Sequence, residues 1–250
     1  MKRLVIIGAG LAGLAAGVYA QRNGYQTRIF EHASQPGGVA VSWRRGEYTI
    51  DGGIHFLMGH RPGQSLYGLY QQLGTAGPDT CVDLADYGDF VDESSGRRLA
   101  VTADLARFAD DWRAISPVDG PFVERIVRGA EAFRRAGAFD IGMGEPPELA
   151  GPLASARMLW EMRRVLPYFT GEPARPMGEL ALQIKDPFLR AVYNNLFLPE
   201  VPAWFLYLLL ALLADGQLGL LKGGSTGFVA PIAERFRELG GELTCGATVE

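Results

Sequence analysis

The sequence predicts an α/β fold interrupted by a mostly helical insertion, and three observations carry the prediction. An apolar run, Leu4–Ile7, breaks into Gly8-Ala9-Gly10-Leu11-Ala12-Gly13, continues through a helix-like segment and reaches a second apolar run ending at Glu31. The middle of the chain then changes to amphipathic and strongly apolar helical patterns. Finally, a glycine-led helix and strand pattern returns between Gly223 and Glu250.

The first segment reads as strand, glycine turn, helix and strand, closed by an acid. Each part has a task in holding a dinucleotide. Gly8 permits the tight turn, and Gly10 lets backbone approach a pyrophosphate with no Cβ in the way. Gly13 lets the helix pack close to the strand. The helix amino end offers free N–H groups and a positive dipole end to phosphates. Glu31 can accept hydrogen bonds from ribose hydroxyls. Lys2-Arg3 before an apolar run also imitates a secretory leader, but the β-branched block Val5-Ile6-Ile7 and the correctly spaced acid argue against one.

The remaining elements follow in order. Pro36-Gly37-Gly38 is a sharp loop with close backbone approach. Val39–Trp43 and Glu47–Ile50 read as strands around an Arg44-Arg45-Gly46 turn, and Asp51–Phe56 as a second glycine-rich loop. Ser65–Leu73 reads as a short helix ended by Gly74. Tyr87–Asp92 and Arg97–Val101 flank a hairpin turn. Asp104 caps a helix to about Ile115, and Asp119 with Pro121 opens a longer one through Phe139. Gly144–Pro152 is a loop. Leu153–Phe169 reads as an amphipathic helix whose Arg157, Arg163 and Arg164 form either a solvated or a membrane-facing basic surface. Asp186-Pro187 starts a helix to about Leu198. Phe228–Leu239 is a helix closed by Gly240-Gly241, with Glu242–Cys245 and Ala247–Glu250 as strand fragments. The expected domains are residues 1–75, an insertion over 76–222, and a return segment over 223–250.

Composition sets bounds. The 250 residues are 48% hydrophobic, enough for a substantial core, and the net charge of −4 argues against general nucleic-acid binding. Cys81 and Cys245 have no CxxC partner, which fits a reducing, cytoplasmic compartment and neither a disulfide framework nor a metal site. His32, His55 and His60 are too scattered for a metal cage. The apolar run Val201–Ala214 is shorter than the roughly 18–20 residues that span a bilayer. It reads as a buried core helix, the wall of an apolar cavity, or a patch dipping into a membrane surface.

The glycine turn, the acid closing the second strand and the Pro36-Gly37-Gly38 loop resemble the FAD fingerprint of the amine-oxidase and phytoene-desaturase superfamily. Within it, residues 37–59, GGVAVSWRRGEYTIDGGIHFLMG, look most like bacterial phytoene desaturases, carotenoid isomerases and retinol-saturase-like proteins. Many amine oxidases carry Arg after the Gly-Gly pair; Val39 stands there here. Gly223–Glu250 resembles that group's return segment. The resemblance implies a Rossmann-like FAD-binding domain of the GR2 type with an inserted, mostly helical α+β substrate domain. Members of the group run to about twice this length, so the chain reads as an N-terminal fragment, a truncated open reading frame or one half of a split protein, with an inactive fragment among the alternatives.

By that resemblance Gly8, Gly10, Leu11, Ala12 and Gly13 line the pyrophosphate, Glu31 holds the adenosine ribose with His32 beside it, and Val249 meets the adenine. Gly37, Gly38 and Val39 lie against the riboflavin end, and Gly53, Ile54 and His55 approach the flavin ring. His55 is the one early candidate for an acid or base, with packing under the cofactor as its other reading. The implied activity is hydride transfer between FAD and a long hydrophobic isoprenoid or polyene, in desaturation, saturation or isomerisation. Peripheral contact with the inner face of a membrane is part of the same expectation. Two alternatives stand beside it: an FAD-dependent amine oxidase, and a non-enzymatic escort of apolar ligands like the prenyl-binding GDI proteins.

Overall fold

The computed structural model describes residues 2–77, 80–137 and 151–250. The chain divides into two compact units, Met1–Asp83 with Leu218–Glu250, and Leu84–Gln217.

In the first unit, β1 (Lys2–Ile7), α1 (Leu11–Arg22) and β2 (Tyr25–Glu31) form the expected β-α-β unit, with β1 and β2 parallel from Lys2↔Tyr25 to Ile7↔Phe30. The strand β10 (Glu242–Cys245) joins the other edge of β2, also parallel, giving the order β1-β2-β10. A sheet built from these strands needs helices on its faces. α1 supplies one through Leu14, Gly17 and Val18, spaced to fall on one side. The last helix of the unit, α9 (Gly224–Glu238), buries Ser225, Phe228, Val229, Ile232, Ala233 and Phe236, the repeating three- and four-residue spacing of one helical stripe. Gly17 lets the two helices and β2 close: a Cβ there would meet Ile29 Cδ1 at 2.8 Å and Phe236 Cε2 at 2.9 Å.

Between these parts lie a hairpin, β3 (Ser42–Arg45) with β4 (Tyr48–Asp51), and a short antiparallel sheet of β5 (Leu57–Met58), β9 (Leu218–Leu221) and β6 (Cys81–Asp83) in the order β5-β9-β6. The intervening helix α2 (Tyr67–Leu73) ends, as expected, on Gly74 with φ of +82°. Pairing of β6 with β9 carries the borders of this unit to Asp83 and Leu218.

Three details differ from the sequence reading. The strand expected from Val39 starts only at Ser42, because Gly37 and Gly38 turn the chain at positive φ and Ala40 N–H bonds back to Gly37 O. No strand covers Ala247–Glu250: Gly246 turns at φ +70°, and the N–H groups of Gly246 and Ala247 bond to Ala33 O and Glu31 O beyond the ladder. The helix expected from Phe228 already begins at Gly224.

The second unit opens with the expected hairpin, β7 (Asp86–Val91) and β8 (Arg98–Thr102). Asp104 caps α3 (Leu105–Ile115) by accepting from the N–H groups of Ala106 and Arg107. The next helix, α4 (Gly120–Ala136), stops at Gly137, φ +57°; the expected end at Phe139 and most of the Gly144–Pro152 loop lie outside the described residues. The single helix expected over Leu153–Phe169 is two pieces, α5 (Pro152–Met162) and a 3₁₀ turn over Leu166–Phe169. Pro167 has no N–H to continue an α-helical ladder, so the chain tightens there. Then come α6 (Met177–Ala181) and α7 (Pro187–Asn195), the latter capped by the Asp186 carboxylate. The apolar run becomes α8 (Ala203–Ala214), with Leu206, Tyr207 and the Leu209–Leu213 block buried. It is the core helix of this unit. It packs on α4 at Gly129, where a Cβ would stand 2.4 Å from the Tyr207 ring. Burying side chains of this size is worth about 1.5–3 kcal/mol each.

Candidate functional site

The glycine turn and the loop after β2 interlock through backbone. Gly8, at φ +95°, donates its N–H to Phe30 O at 2.7 Å, fixing the end of β1 on β2. Gly13 lies in the first turn of α1, directly over that bend: a Cβ on it would stand 2.0 Å from Gly8 O. Gly37 donates to Ala9 O at 2.8 Å, and Gly10 and Gly37 form an isolated parallel bridge. A Cβ on Gly38 would come within 3.2 Å of Gly10 Cα. Gly8, Gly10, Gly13, Gly37 and Gly38 therefore meet in one crevice walled by bare backbone.

The charge of that crevice follows from α1. Gly10 occupies its cap position with no side-chain acceptor, and no acidic residue stands in the first turn. The amino-end N–H groups of α1 have no side-chain acceptor, an arrangement whose partial positive charge favours an anion. Glu31 closes the far side. Its Oε2 accepts from Ala9 N–H at 2.6 Å and its Oε1 from Ala33 N–H at 2.8 Å. The bond from Ala33, then that from Ala9, holds the Glu31 carboxyl below the usual glutamate range against the cost of burial.

The return segment reaches the same end of β2. His32 Nδ1 lies 2.9 Å from Thr248 Oγ1, and Ala247 N–H bonds to Glu31 O, so Val249 follows two residues beyond that contact, half exposed. Val39 is 88% exposed. Gly53 packs under it: a Cβ there would meet Val39 O at 2.7 Å. Ile54 is partly buried and His55 is exposed.

The residues that fasten this second loop escaped the sequence reading. Ser225 Oγ accepts from Ile54 N–H at 2.8 Å, and Asp51 Oδ2 accepts from Ser225 N–H at 2.9 Å. Ser42 N–H donates to Thr226 Oγ1 at 2.9 Å. Asp51 thus caps α9 from a distant hairpin; its carboxyl, pushed up by burial, is held low overall by the Ser225, Gly53 and Ser42 hydrogen bonds. Ser225-Thr226 directly after a glycine pair was the available signal, since hydroxyl residues gather at helix starts.

A second polar cluster sits across β9. His60 Nε2 lies 2.8 Å from Asp83 Oδ1, and Arg61 binds the same carboxylate. Arg61, then His60, lowers the Asp83 carboxyl to about 2. Gly219 makes this crossing possible: a Cβ on it would be 2.8 Å from His60 Cε1. Among the described residues no group of three or more His, Cys, Asp or Glu side chains is placed to hold a metal, and no helix is long and apolar enough to cross a membrane.

A parallel β-α-β unit with this interlocked glycine crevice defines the class, a Rossmann-like dinucleotide-binding fold. The family model described as "NAD(P)-binding Rossmann-like domain" matches residues 6–73. Over the whole chain, a lycopene-forming phytoene desaturase from Pseudescherichia vulneris is 25% identical, with 50% of that protein covered. A 1-hydroxycarotenoid 3,4-desaturase from a Flavobacterium species is 42% identical over 84 residues, 33% of this chain and 16% of that protein. Among solved structures, wild-type putrescine oxidase bound to putrescine superposes with a TM-score of 0.52 at 19% identity, covering 98% of this chain and 51% of that one. The chain is similar over its full length to phytoene desaturases at 25–26% identity and shares its fold with putrescine oxidase. It spans about half the length of the full-coverage curated relatives.

Proposed function

We propose that this chain carries the FAD-binding part of an oxidoreductase acting on a long hydrophobic polyene. One observation carries the reading: at Gly13 a Cβ would strike backbone and at Gly38 it would crowd Gly10, so the crevice is bare backbone at the uncapped amino end of α1. That combination of shape and partial charge suits a pyrophosphate. Gly8, Gly10, Leu11, Ala12 and Gly13 would face it. Glu31 already holds two backbone N–H groups and keeps further lone pairs for ribose hydroxyls. His32 and Val249 would border the adenosine end; Gly37, Gly38 and Val39 the riboflavin end; and Gly53, Ile54 and His55 the ring.

When bound, FAD would supply the hydride chemistry. The protein's own residues bind and orient: the glycine backbone fixes the phosphates, and the Asp51–Ser225–Ile54 bonds hold the loop that carries His55. We assign His55 no proton transfer. The names of the relatives, two carotenoid desaturases, support a polyene substrate; desaturation, saturation and isomerisation all fit that class.

The test is a calorimetric titration of the chain with FAD and, separately, NAD⁺. Saturable FAD binding with no NAD⁺ binding is the expected result. NAD⁺ binding alone, or no binding of either, overturns the cofactor assignment. Anaerobic bleaching of the flavin absorption by a long polyene but not by a primary amine separates the polyene from the amine substrate class.

A further inference from the structure

We infer that His32 and Thr248 form a latch that fixes the return segment at the adenosine end of the crevice, which makes Thr248 a positioning residue for the dinucleotide. The inference rests on the flavin-binding reading. Beyond Cys245, the last residue of β10, Gly246 turns the chain at φ +70° and carries it across the end of β2. Consecutive residues at that end hold it there. Ala33 O accepts from Gly246 N–H and Glu31 O accepts from Ala247 N–H, each at 2.9 Å. Between them in sequence, the His32 ring reaches Thr248, with Nδ1 2.9 Å from Oγ1. The first two ties are main-chain bonds that almost any residue could make. The third needs a hydroxyl at 248 and a ring nitrogen at 32, side chains 216 residues apart in the sequence.

The same stretch shapes the ribose acceptor. Glu31 Oε1 accepts from Ala33 N–H and Oε2 from Ala9 N–H. The main chain of Glu31 and Ala33 thus holds the return segment, while the Glu31 carboxylate reaches from that clamp to the glycine turn. Thr248 stands directly before Val249, so the latch fixes the chain one residue ahead of the position assigned to the adenine. Both latch side chains are exposed. Core packing therefore does not hold them together, and without their bond the segment opens at little free-energy cost. A dinucleotide would then have to order the segment as it bound. A latch that orders it in advance removes that cost from binding.

The test is calorimetry of FAD and of ADP on the 250-residue chain, with thermal melts and peptide-level hydrogen exchange alongside. Thr248→Val removes the hydroxyl and keeps the branched shape; His32→Ala removes the ring. Each should weaken FAD and ADP by the same factor, about three- to tenfold, as expected for one hydrogen bond. ADP carries the adenosine and pyrophosphate without the flavin, so an equal loss on both ligands localises the effect to this end. The double variant should lose no more than either single one, because the two side chains act as one bond. Thr248→Ser, which keeps the hydroxyl, should bind as the parent chain does. Exchange over residues 246–250 should quicken in Thr248→Val without ligand, at an unchanged melting temperature. Additive losses, FAD weakened with ADP unaffected, parent affinity in Thr248→Val, or a melting temperature lowered in step with affinity would each overturn the latch and leave the flavin reading in place. A parent chain that binds no FAD overturns the flavin reading itself, and the positioning role with it.

Discussion

Gly13→Ala tests the crevice most directly. The added Cβ would stand 2.0 Å from Gly8 O and 3.2 Å from Gly8 C, both backbone atoms of the turn that bonds β1 to β2. A comfortable separation is about 3.5 Å, so helix and turn must part by more than about 1 Å. Forced overpacking of this kind costs about 1–3 kcal/mol. Alanine returns about 1 kcal/mol of helix propensity over glycine. The expected balance is a loss of up to about 2 kcal/mol, with the N–H groups of the α1 amino end displaced from any phosphate. Gly227→Ala is the matched control. It also lies in the first turn of a helix in the same unit, yet a Cβ there has nothing within 4 Å. Propensity alone then acts, and stability should rise by about 0.5–1 kcal/mol. Urea unfolding followed by peptide-level hydrogen exchange on β1 and β2 reads this unit separately from the other. FAD titration of both variants adds the functional arm: binding lost in Gly13→Ala and kept in Gly227→Ala. Equal stability shifts in the two variants, or Gly13→Ala at parent stability with parent FAD affinity, would refute the argument.

Other outcomes follow from the same contacts. Glu31→Ala strips the acceptor from Ala9 and Ala33 N–H and should weaken FAD binding by about tenfold, with Glu31→Gln intermediate; calorimetry reads it, and unchanged affinity removes Glu31 from the site. Asp119 is buried and accepts from Lys185 N–H, Asp186 N–H and Ser116 Oγ–H at 2.7, 2.9 and 2.8 Å. Asp119→Ala leaves buried donors unpaired and should cost about 2–3 kcal/mol in a thermal melt. Burial pushes the Asp119 carboxyl up, but the Lys185, Asp186 and Ser116 bonds outweigh it and hold it below the usual aspartate range. A lowered folded-state pKa means its stabilisation is full at neutral pH and is lost as pH falls through that lowered value. Asp119→Asn should therefore flatten the acid limb of the stability profile; an unchanged limb contradicts the assignment. Gly219→Ala drives a Cβ to 2.8 Å from the His60 ring and 3.0 Å from Cys81 Cβ. It should cost about 1–2 kcal/mol and speed reaction of Cys81 with a thiol reagent; an unchanged rate would mean the His60–Asp83 crossing does not shield that strand.

The parts of the site that were legible in the sequence are those fixed by local backbone geometry. Gly8, Gly13 and the Gly37-Gly38 pair announce themselves because only glycine satisfies a positive φ or a near-contact between main chains; Gly10, at φ −67°, is legible only through its spacing, and the acid at Glu31 closes the following strand. The Asp104 and Asp186 caps were legible for the same reason, since each contacts N–H groups within three residues. What escaped were pairings with long sequence separation. Asp51 caps a helix 174 residues away, and β9 joins β5 and β6 across the whole insertion. Two- to four-residue strands carry too little alternation to be read from pattern.

The same distinction explains the two apolar helical patterns of the insertion. α8 is apolar all round, so its sequence leaves a core helix, a cavity wall and a membrane patch open. Only the contact of Tyr207 with Gly129 and the burial of the Leu209–Leu213 block place it inside. The pattern of α5 is amphipathic and would ordinarily be read with its apolar side inward, yet Leu153 and Trp160 face out. Periodicity gives the separation of polar and apolar faces but not which of them meets the protein. For α8 the neighbours answer that question. For α5 no residue is buried, so its place is not set by the core and periodicity alone could not have assigned its faces.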